Sequence, residues 1–320
     1  MKTSVTFSFL GLFLVVGGFY LYLSPVPPDL PESSPLPTTI QLTPLDEKNP
    51  ITWMEIQKGQ DGEKIVLKQA DKDWVITEPV RYPADSLMVE SLKGAIAVAA
   101  KTKRLLPERP WGEYGLTKPS IRVGMKTQVE RAPRYLLLGD LSPVGDYLYA
   151  RWQDEKEYFL LSAGLKEAFT KSLYALRFKK VFLISKDELT KIHLRLPAGD
   201  FEAAKYEQHW FWMQPVPILG DEVGSAVIEK LLTQYEELYV KDFLDAKPPK
   251  SDEPDPSLSP YFVKASAGDS NTEVLYLGQE LPEQDSIHGF RGEDKVHLLV
   301  AKSKLDALFS TVQAAASVKP

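Results

Sequence analysis

The side chains that most often carry out chemistry are sparse in this sequence. Its 320 residues include four histidines and no cysteine. The histidines lack the close spacing of a metal site, and each is interpreted as a packed or solvent-exposed side chain: His193, His209, His288 and His297. No nucleophile elbow, Walker loop or dinucleotide fingerprint occurs. The sequence therefore predicts no enzyme, no cofactor and no metal site, and any nucleotide hydrolysis would belong to a partner.

Paired carboxylates are the remaining catalytic option, because two acids about 5 to 10 Å apart can cleave a glycosidic bond. The chain has 44 aspartates and glutamates. Pairs such as Glu236 with Glu237, or Asp140 with Asp146, do not stand out from other solvated acids. A hydrolase is therefore only a third hypothesis.

Aromatic residues are better candidates for binding. Trp111 and Tyr114 lie in RPWGEYGL, and Trp210, Phe211 and Trp212 lie in HWFWMQP. Such side chains can form a platform for sugars or for apolar groups of a partner. Strand alternation places Trp210 and Trp212 on one face and Phe211 on the other. At least one of these two faces must then pack in the core. Trp111, Tyr114 and Trp212 are the predicted partner-binding residues.

Length and charge limit the class of protein. An apolar fraction of 43% over 320 residues is typical of a globular protein, with two domains as the natural expectation. The formal net charge is -6. The short basic run KTKR at 101–104 is interpreted as the end of a helix, where cations favour the carbonyl end of the dipole. No nucleic-acid partner is expected, since phosphate binding needs clustered Lys and Arg.

The N-terminus predicts a membrane anchor. Residues 5–23 carry no charge, and about 19 residues in a helix span the hydrocarbon core of a bilayer. A cleaved signal peptide is the alternative, but its apolar region is usually shorter and ends in small residues. Lys2 before the span, with Asp29 and Glu32 after it, favours a cytoplasmic N-terminus. We predict an anchor at 1–23, a single pass through the cytoplasmic (inner) membrane and an extracytoplasmic remainder.

Residues 24–50 are rich in proline and show no hydrophobic periodicity. Such a composition is typical of a semi-rigid, extended linker. We predict that this segment holds the folded part of the chain away from the bilayer.

Beyond the linker, one pattern occurs twice with unchanged spacing. A tryptophan is followed by a proline and then by an aspartate that opens a helical stretch, as Trp74, Pro79 and Asp85 and again as Trp210, Pro215 and Asp221. The proline is expected to end a strand and the aspartate to cap a helix. A repeated unit matters because it decides the architecture of the whole chain.

The elements around this pattern also correspond. Alternating residues between 51 and 79 predict a three-stranded meander. The helix after it should bury the apolar positions Leu87, Leu92, Ile96 and Ala99, and its counterpart should bury Val223, Ile228, Leu232 and Tyr235. Downstream, several pairs align: Gly139 with Gly278, Arg151 with Arg291, and Leu165 and Phe169 with Leu305 and Phe309 of a closing helix.

The predicted fold class is therefore α+β. We predict two tandem, structurally related units at 51–180 and 181–320, each with antiparallel strands, a central helix and a closing helix.

Several of these residues resemble a known family. The segment W-x-I-x-x-P at Trp74, the helix start at Pro83 to Asp85, Tyr114-Gly115-Leu116, Leu138-Gly139-Asp140 and Tyr149-Ala150-Arg151 are similar to the bacterial family called domain of unknown function 4340. The resemblance covers residues 51–177 well and the second half weakly, where the Tyr-Gly-Leu element is missing. It implies no established reaction, and some members are described as auxiliary components beside ABC-type transporters of the gliding-motility kind.

Two hypotheses for function result. The leading one is a membrane-anchored, extracytoplasmic, non-enzymatic protein that serves as an interaction or accessory subunit of an envelope or ABC-type transport assembly. Its partners would be the membrane and other membrane or envelope proteins. The alternative is a glycan-, lipid- or peptide-binding module that uses a cleft between the two repeats.

Overall fold

The computed structural model describes residues 40–42, 49–105, 110–143, 145–196, 198–214, 221–245, 259 and 261–317. The predicted anchor at 1–23 and most of the predicted linker at 24–50 lie outside these residues. Among the helices that are described, none combines the length and the apolar character that a membrane crossing requires.

Nineteen strands are described, and the first eleven are β1 Ile40–Gln41, β2 Ile51–Lys58, β3 Lys64–Ala70, β4 Asp73–Glu78, β5 Tyr82–Pro83, β6 Ala100–Lys101, β7 Lys103–Leu105, β8 Ile121–Thr127, β9 Arg134–Leu141, β10 Tyr147–Trp152 and β11 Tyr158–Ser162. The other eight are β12 Lys191–Leu196, β13 Gly199–Tyr206, β14 His209–Gln214, β15 Val240–Phe243, β16 Phe262–Ala267, β17 Asn271–Leu281, β18 Ser286–Arg291 and β19 Val296–Ala301. The helices are α1 Ser86–Val98, α2 Gly164–Ala168, α3 Leu173–Leu176, α4 Asp221–Glu236 and α5 Lys302–Ser317, with 3₁₀ turns at Trp111–Tyr114 and Pro282–Gln284.

Two large antiparallel sheets contain most of these strands. Sheet 1 has the order β5-β4-β3-β2-β8-β9-β10-β11-β7, and sheet 2 has the order β14-β13-β12-β16-β17-β18-β19-β15. Apart from β5, each strand of sheet 1 corresponds to one strand of sheet 2. The two strands of each pair have the same position in their sheets and the same order within their halves of the chain. In both sheets a strand between the central helix and the next strands of the sheet pairs with the last strand: β7 with β11, and β15 with β19. The predicted α+β class is confirmed.

The chain folds into two compact units. The first contains the described residues of Met1–Val66 and Ser91–Thr170, and the second contains those of Leu67–Glu90 and Lys171–Pro320. The boundary between them falls within β3 and within α1. These units are defined by compactness in space rather than by correspondence in sequence, so the repeat boundaries at 51–180 and 181–320 stay a prediction.

The predicted meander is present as β2, β3 and β4. β4 alternates between buried and more exposed residues, whereas β2 and β3 each bury three consecutive residues. Trp74 lies at the start of β4 and is buried. β4 ends at Glu78, directly before Pro79, which has no backbone N–H for a ladder. Asp85 caps α1, because its Oδ1 accepts a hydrogen bond from the N–H of Met88 at 3.1 Å. Pro215 lies outside the described residues.

The buried face of α1 is shifted from the predicted one. Val89, Leu92 and Ile96 are buried, but Leu87 is 78% exposed. At about 100° per residue, Leu87 lies almost opposite Val89 on the helix, so the predicted place of Leu87 on the buried face was wrong. Ala99 follows the helix and is half-buried.

We expect Ile96→Val to lower the free energy of unfolding by about 0.5 to 1.5 kcal/mol, since it removes one methylene from a fully buried site. Leu87→Ala, on the exposed side of the same helix, should change it by no more than about 0.5 kcal/mol. Urea unfolding of the full chain in detergent, followed by tryptophan fluorescence, measures both. Equal effects of the two substitutions would contradict the assignment of the buried face.

The second central helix, α4, follows the prediction more closely. Ile228, Leu232 and Tyr235 are buried, whereas the side chain of Val223 lies outside the description. The closing helices differ in length. α5 spans 16 residues and buries Leu305, but α2 spans only five.

Part of the predicted linker is paired. Ile40 and Gln41 form β1, which pairs with β6 through Ile40 opposite Lys101 and Gln41 opposite Ala100. Leu42 is buried, and its N–H donates to the carbonyl of Ala99. Residues 40–42 of the predicted extended linker are thus paired with the segment after α1, and Leu42 adds apolar area that the surrounding chain can bury. The linker as a whole stays a prediction.

Candidate functional site

A short turn places the aromatic residues of the first unit. Trp111–Tyr114 form one turn of 3₁₀ helix that ends at Gly115, whose φ of 67° is in the left-handed region. This conformation is readily accessible to glycine, which has no Cβ. The N–H of Leu116 then bonds back to the carbonyl of Trp111 at 3.0 Å, and the side chain of Leu116 is buried. The turn thus holds Trp111 and Tyr114 at a fixed distance from the sheet.

Gly139 on β9 allows this turn to approach the sheet. A Cβ added at Gly139 would lie 2.2 Å from the carbonyl oxygen of Tyr114, and one added at Gly115 would lie 2.6 Å from Cγ of Asp140. Such separations are far below van der Waals contact. The Tyr-Gly-Leu and Leu-Gly-Asp elements noted in the sequence are therefore two sides of one close backbone approach.

Tyr114 packs within a cluster of aromatic rings. Its ring lies 4.6 Å from that of Tyr158 and 4.8 Å from that of Tyr149, measured between centroids. Leu116 and Leu137 complete the cluster. Ring pairs at these distances add stabilisation beyond the area they bury. The structure therefore places Tyr114 in a packing role at the base of the turn.

Trp111 instead stacks on a buried cation. The guanidinium carbon of Arg151 lies 3.8 Å from the ring centroid of Trp111. Arg151 is only 8% exposed, and its Nη1 donates to the carbonyls of Trp152, Gln153 and Glu155 at 3.1 to 3.3 Å. Burial lowers the pKa of this guanidinium, because a low-dielectric surrounding disfavours the charged form. The guanidinium is thus held over the face of the indole.

These two residues line a pocket in the first unit. Its volume is about 670 Å³, and it is half open to solvent. The lining comes from the face of sheet 1 at Arg122, Leu137 and Arg151, and from the segments around Gln60 and Thr117. This volume lies within the range of small-molecule sites.

Arg122 also lines the pocket. Its Nη2 donates to Glu55 at 2.6 Å, and its guanidinium lies 4.5 Å from the ring centroid of Tyr135. Glu55 is almost fully buried. The acidic residue of the lining, Asp61, is exposed at the rim. The charge of Arg122 is therefore compensated within the protein, which distinguishes it from Arg151.

Arg291, which the sequence aligns with Arg151, has a different environment. Arg291 is 1% exposed, and its Nε donates to both carboxylate oxygens of Asp294 at 3.0 and 3.1 Å. Its two Nη atoms donate to the carbonyl of Val181 at 2.8 Å and to the hydroxyl of Tyr82 at 3.0 Å. Burial acts to lower the pKa of Arg291, but Asp294, Tyr82 and Glu273 together outweigh it and the net shift is upward. Arg291 is thus fully engaged within the second unit.

The third predicted binding residue, Trp212, lies on β14. Trp210 and Trp212 are half-buried and pack against the core of the second unit. Phe211 on the other face is 47% exposed, which confirms the predicted alternation. Nε1 of Trp212 is buried and has no hydrogen-bond partner among the described residues. Trp212 therefore contributes to the core, and Phe211 is the exposed aromatic residue of this strand.

The histidines and carboxylates give no catalytic arrangement in the described part of the chain. His193 Nε2 lies 2.9 Å from Asp200, and His209 is exposed. Adjacent strands bring buried His288 and His297 together, with Nε2 and Nδ1 separated by 3.2 Å, which the sequence did not predict. No group of three or more potential metal ligands occurs among the described residues. The absence of a metal, cofactor or enzymatic role stays a prediction.

Arg151 is the functional candidate that reasoning from the sequence missed. It was noted only as a position aligned with Arg291 and as part of the Tyr149-Ala150-Arg151 element of the family resemblance, and no functional role was assigned to it. The available signal was its setting among apolar and aromatic residues in YLYARW. Alternation places it on the same face as Tyr147 and Tyr149, opposite the buried residues Leu148, Ala150 and Trp152, and Arg151 is nevertheless buried. A charge at such a position needs a partner.

Comparison with known proteins gives one match. No curated protein and no solved structure matches the chain. One family model covers residues 74–259, from Trp74 to the segment before β16, and so extends further into the second half than the resemblance at 51–177. Since this match spans more than half of the chain, and since it includes the Tyr-Gly-Leu and Leu-Gly-Asp contact described above, the chain belongs to the family named domain of unknown function (DUF4340).

Proposed function

We propose that this chain is a membrane-anchored, extracytoplasmic, non-enzymatic protein that serves as an accessory subunit of an envelope or ABC-type transport assembly. The observation that supports a partner-binding role is the edge of sheet 2. β14 is the terminal strand of that sheet among the described strands. A terminal strand has one row of backbone N–H and C=O groups without strand partners, and a partner's extended segment can pair with it.

The outer face of this edge is largely apolar, with exposed His209 at the start of β14. Phe211 and Met213 on β14 are 47% and 38% exposed, and Tyr206 on β13 is 56% exposed. The rings of Tyr206 and Phe211 lie 6.1 Å apart. Proteins commonly protect an edge strand with charge, proline or a covering element. An exposed apolar edge without charges on these three positions therefore favours an extended, apolar segment of a partner protein.

Sheet 1 differs at the corresponding place. There β4 pairs on its outer side with β5, through Val75 opposite Pro83 and Ile76 opposite Tyr82. The counterpart of β14 is thus covered by the chain's own backbone. This contrast supports the proposal that β14 is the strand used for association.

Site-specific photo-crosslinking in cells tests this role. A photoreactive phenylalanine analogue at position 211 should crosslink to a membrane or envelope protein, and detergent-solubilised membranes should yield the same protein with the affinity-tagged chain. The matched control is the same analogue at Val129, which is 70% exposed in the first unit. Phe211→Lys with Met213→Lys should abolish the recovery. Recovery of the chain alone, or equal crosslinking from positions 211 and 129, would contradict the proposal.

The alternative function, a ligand-binding module, is favoured by a separate observation. The pocket beside Trp111 and Arg151 lies within the first unit and has the volume of a small-molecule site. It does not depend on β14, so the two roles can be tested independently.

A further inference from the structure

Arg151 lacks the counter-ion that the other buried arginines possess. Arg177 donates to Asp245 at 2.7 Å, and Arg291 pairs with Asp294. Arg151 is similarly buried but has no carboxylate within ion-pair distance among the described residues. Its Nε has no hydrogen-bond partner there, which is also true of the Nε of Arg177. A buried charge without a counter-ion is costly. The first unit therefore retains a cation that an incoming anion would stabilise.

The guanidinium of Arg151 is also preorganised. All three of its hydrogen bonds come from Nη1, and its guanidinium carbon is held over the indole of Trp111. Nε and Nη2 are left without an acceptor in the described structure. A planar fork of two N–H groups matches the geometry of a carboxylate. Because the side chain is already fixed, binding would cost little additional ordering.

The rest of the pocket offers hydrogen bonds to uncharged groups. The side chains of Gln57, Gln60, Thr117 and Gln153 contribute to its lining. Amide and hydroxyl groups can both donate and accept, as the hydroxyls of a sugar also can. The indole of Trp111 and the side chain of Leu137 supply apolar contact. This combination suits a carbohydrate that carries one acidic group.

A peptide fits the pocket less well. Arg122, Leu137 and Arg151 belong to β8, β9 and β10, which are interior strands of sheet 1. Their backbone groups are paired on both sides, so a peptide backbone could not pair with them as it could with an edge strand.

We propose that this pocket binds a saccharide containing a uronic acid, with the sugar carboxylate paired to Arg151. The site goes beyond the partner-binding role of β14, because it lies in the other unit and uses different residues.

Isothermal titration calorimetry on the full chain in detergent tests the site. The probes are digalacturonate and cellobiouronate, with the neutral disaccharides galactobiose and cellobiose as matched controls. At least one acidic disaccharide should bind at least about tenfold more tightly than its neutral counterpart, since a charge-assisted hydrogen bond is roughly twice as strong as a neutral one. Arg151→Met should abolish this preference, because methionine keeps an apolar side chain over Trp111 and removes the charge.

Control variants separate recognition from folding. Arg195→Met, at a half-exposed arginine of the second unit, should bind as the wild type does. If Arg151→Met does not fold, Gln60→Ala at the exposed rim should weaken binding of both acidic and neutral disaccharides by several fold, and Arg151→Lys should retain only part of the acidic preference. Each of these results would support the assignment.

Three results would overturn it. The first is that neither acidic disaccharide binds more tightly than its neutral counterpart. The second is that the preference persists in Arg151→Met. The third is that an acetylated Ala-Glu-Ala amide binds while both uronates fail, which would assign the pocket to acidic peptides. None of these results would affect the crosslinking from position 211.

Discussion

Replacing Arg291 with alanine is expected to lower the free energy of unfolding of the second unit by about 3 to 5 kcal/mol, the cost of breaking a buried, hydrogen-bonded ion pair by removing one partner. Arg291 is 1% exposed and bonds to Asp294, to the carbonyl of Val181 and to the hydroxyl of Tyr82. Its loss leaves three acceptors without their donor. The variant should therefore lose much of the stability of a typical domain.

Two control variants make this prediction specific. Arg195→Ala removes an arginine that also bonds to an aspartate, Asp200, but its side chain is 49% exposed. This change should cost no more than about 1 kcal/mol. Arg291→Lys should be intermediate, because lysine keeps the charge but cannot form the forked contact with Asp294.

Hydrogen exchange shows which of the two units loses stability in Arg291→Ala. The full chain in detergent is exchanged, digested and analysed by mass spectrometry. Peptides from β12 and β13 should lose protection in Arg291→Ala, and peptides from β8 and β9 should not. Unchanged protection throughout would show that Arg291 is dispensable for the second unit.

The second large effect is expected for Gly139→Ala in the first unit. The new Cβ would lie 2.2 Å from the carbonyl oxygen of Tyr114, a backbone atom that cannot rotate away. Overpacking typically costs about 1 to 3 kcal/mol, and a clash with backbone belongs at the upper end of that range. The turn at Trp111–Tyr114 would have to move, so the stacking of Trp111 on Arg151 should also weaken.

A glycine in open space is the matched control. Gly94 lies within α1, and a Cβ added there would meet nothing within 4 Å. Gly94→Ala should therefore stabilise the protein by up to about 1 kcal/mol, through better helix propensity. Hydrogen exchange of peptides spanning 110–120 should accelerate in Gly139→Ala and stay unchanged in Gly94→Ala. Retained protection around Trp111 in Gly139→Ala would contradict the close approach.

Local features of this fold could be predicted from the sequence because they depend on neighbouring residues. The meander around Trp74 follows from alternation, and the cap at Asp85 follows from residue type at a helix start. Leu87 shows the limit of this reasoning. An apolar residue near a helix start was assigned to the core, although its angular position relative to Val89 excludes it.

The candidate site depended on contacts between distant residues. Trp111 and Arg151 are brought together only because Gly139 allows a turn to approach β9, and neither spacing nor composition reveals that contact. His288 and His297 likewise meet through the register of β18 and β19. Predicting the exposed edge at β14 would have required the order of the strands in sheet 2, which the alternation of HWFWMQ does not reveal.

The shared strand order has a consequence for how the protein folds. β15 follows the central helix of its half, but it pairs with β19, which is synthesised more than 50 residues later. Loops of this length close slowly, and folding rates fall as the sequence separation of contacts increases. During synthesis, β15 must therefore wait unpaired until the last strand of the sheet emerges. A chain truncated before Val296 would lack the partner of β15, so we expect completion of this sheet to be a late step in maturation.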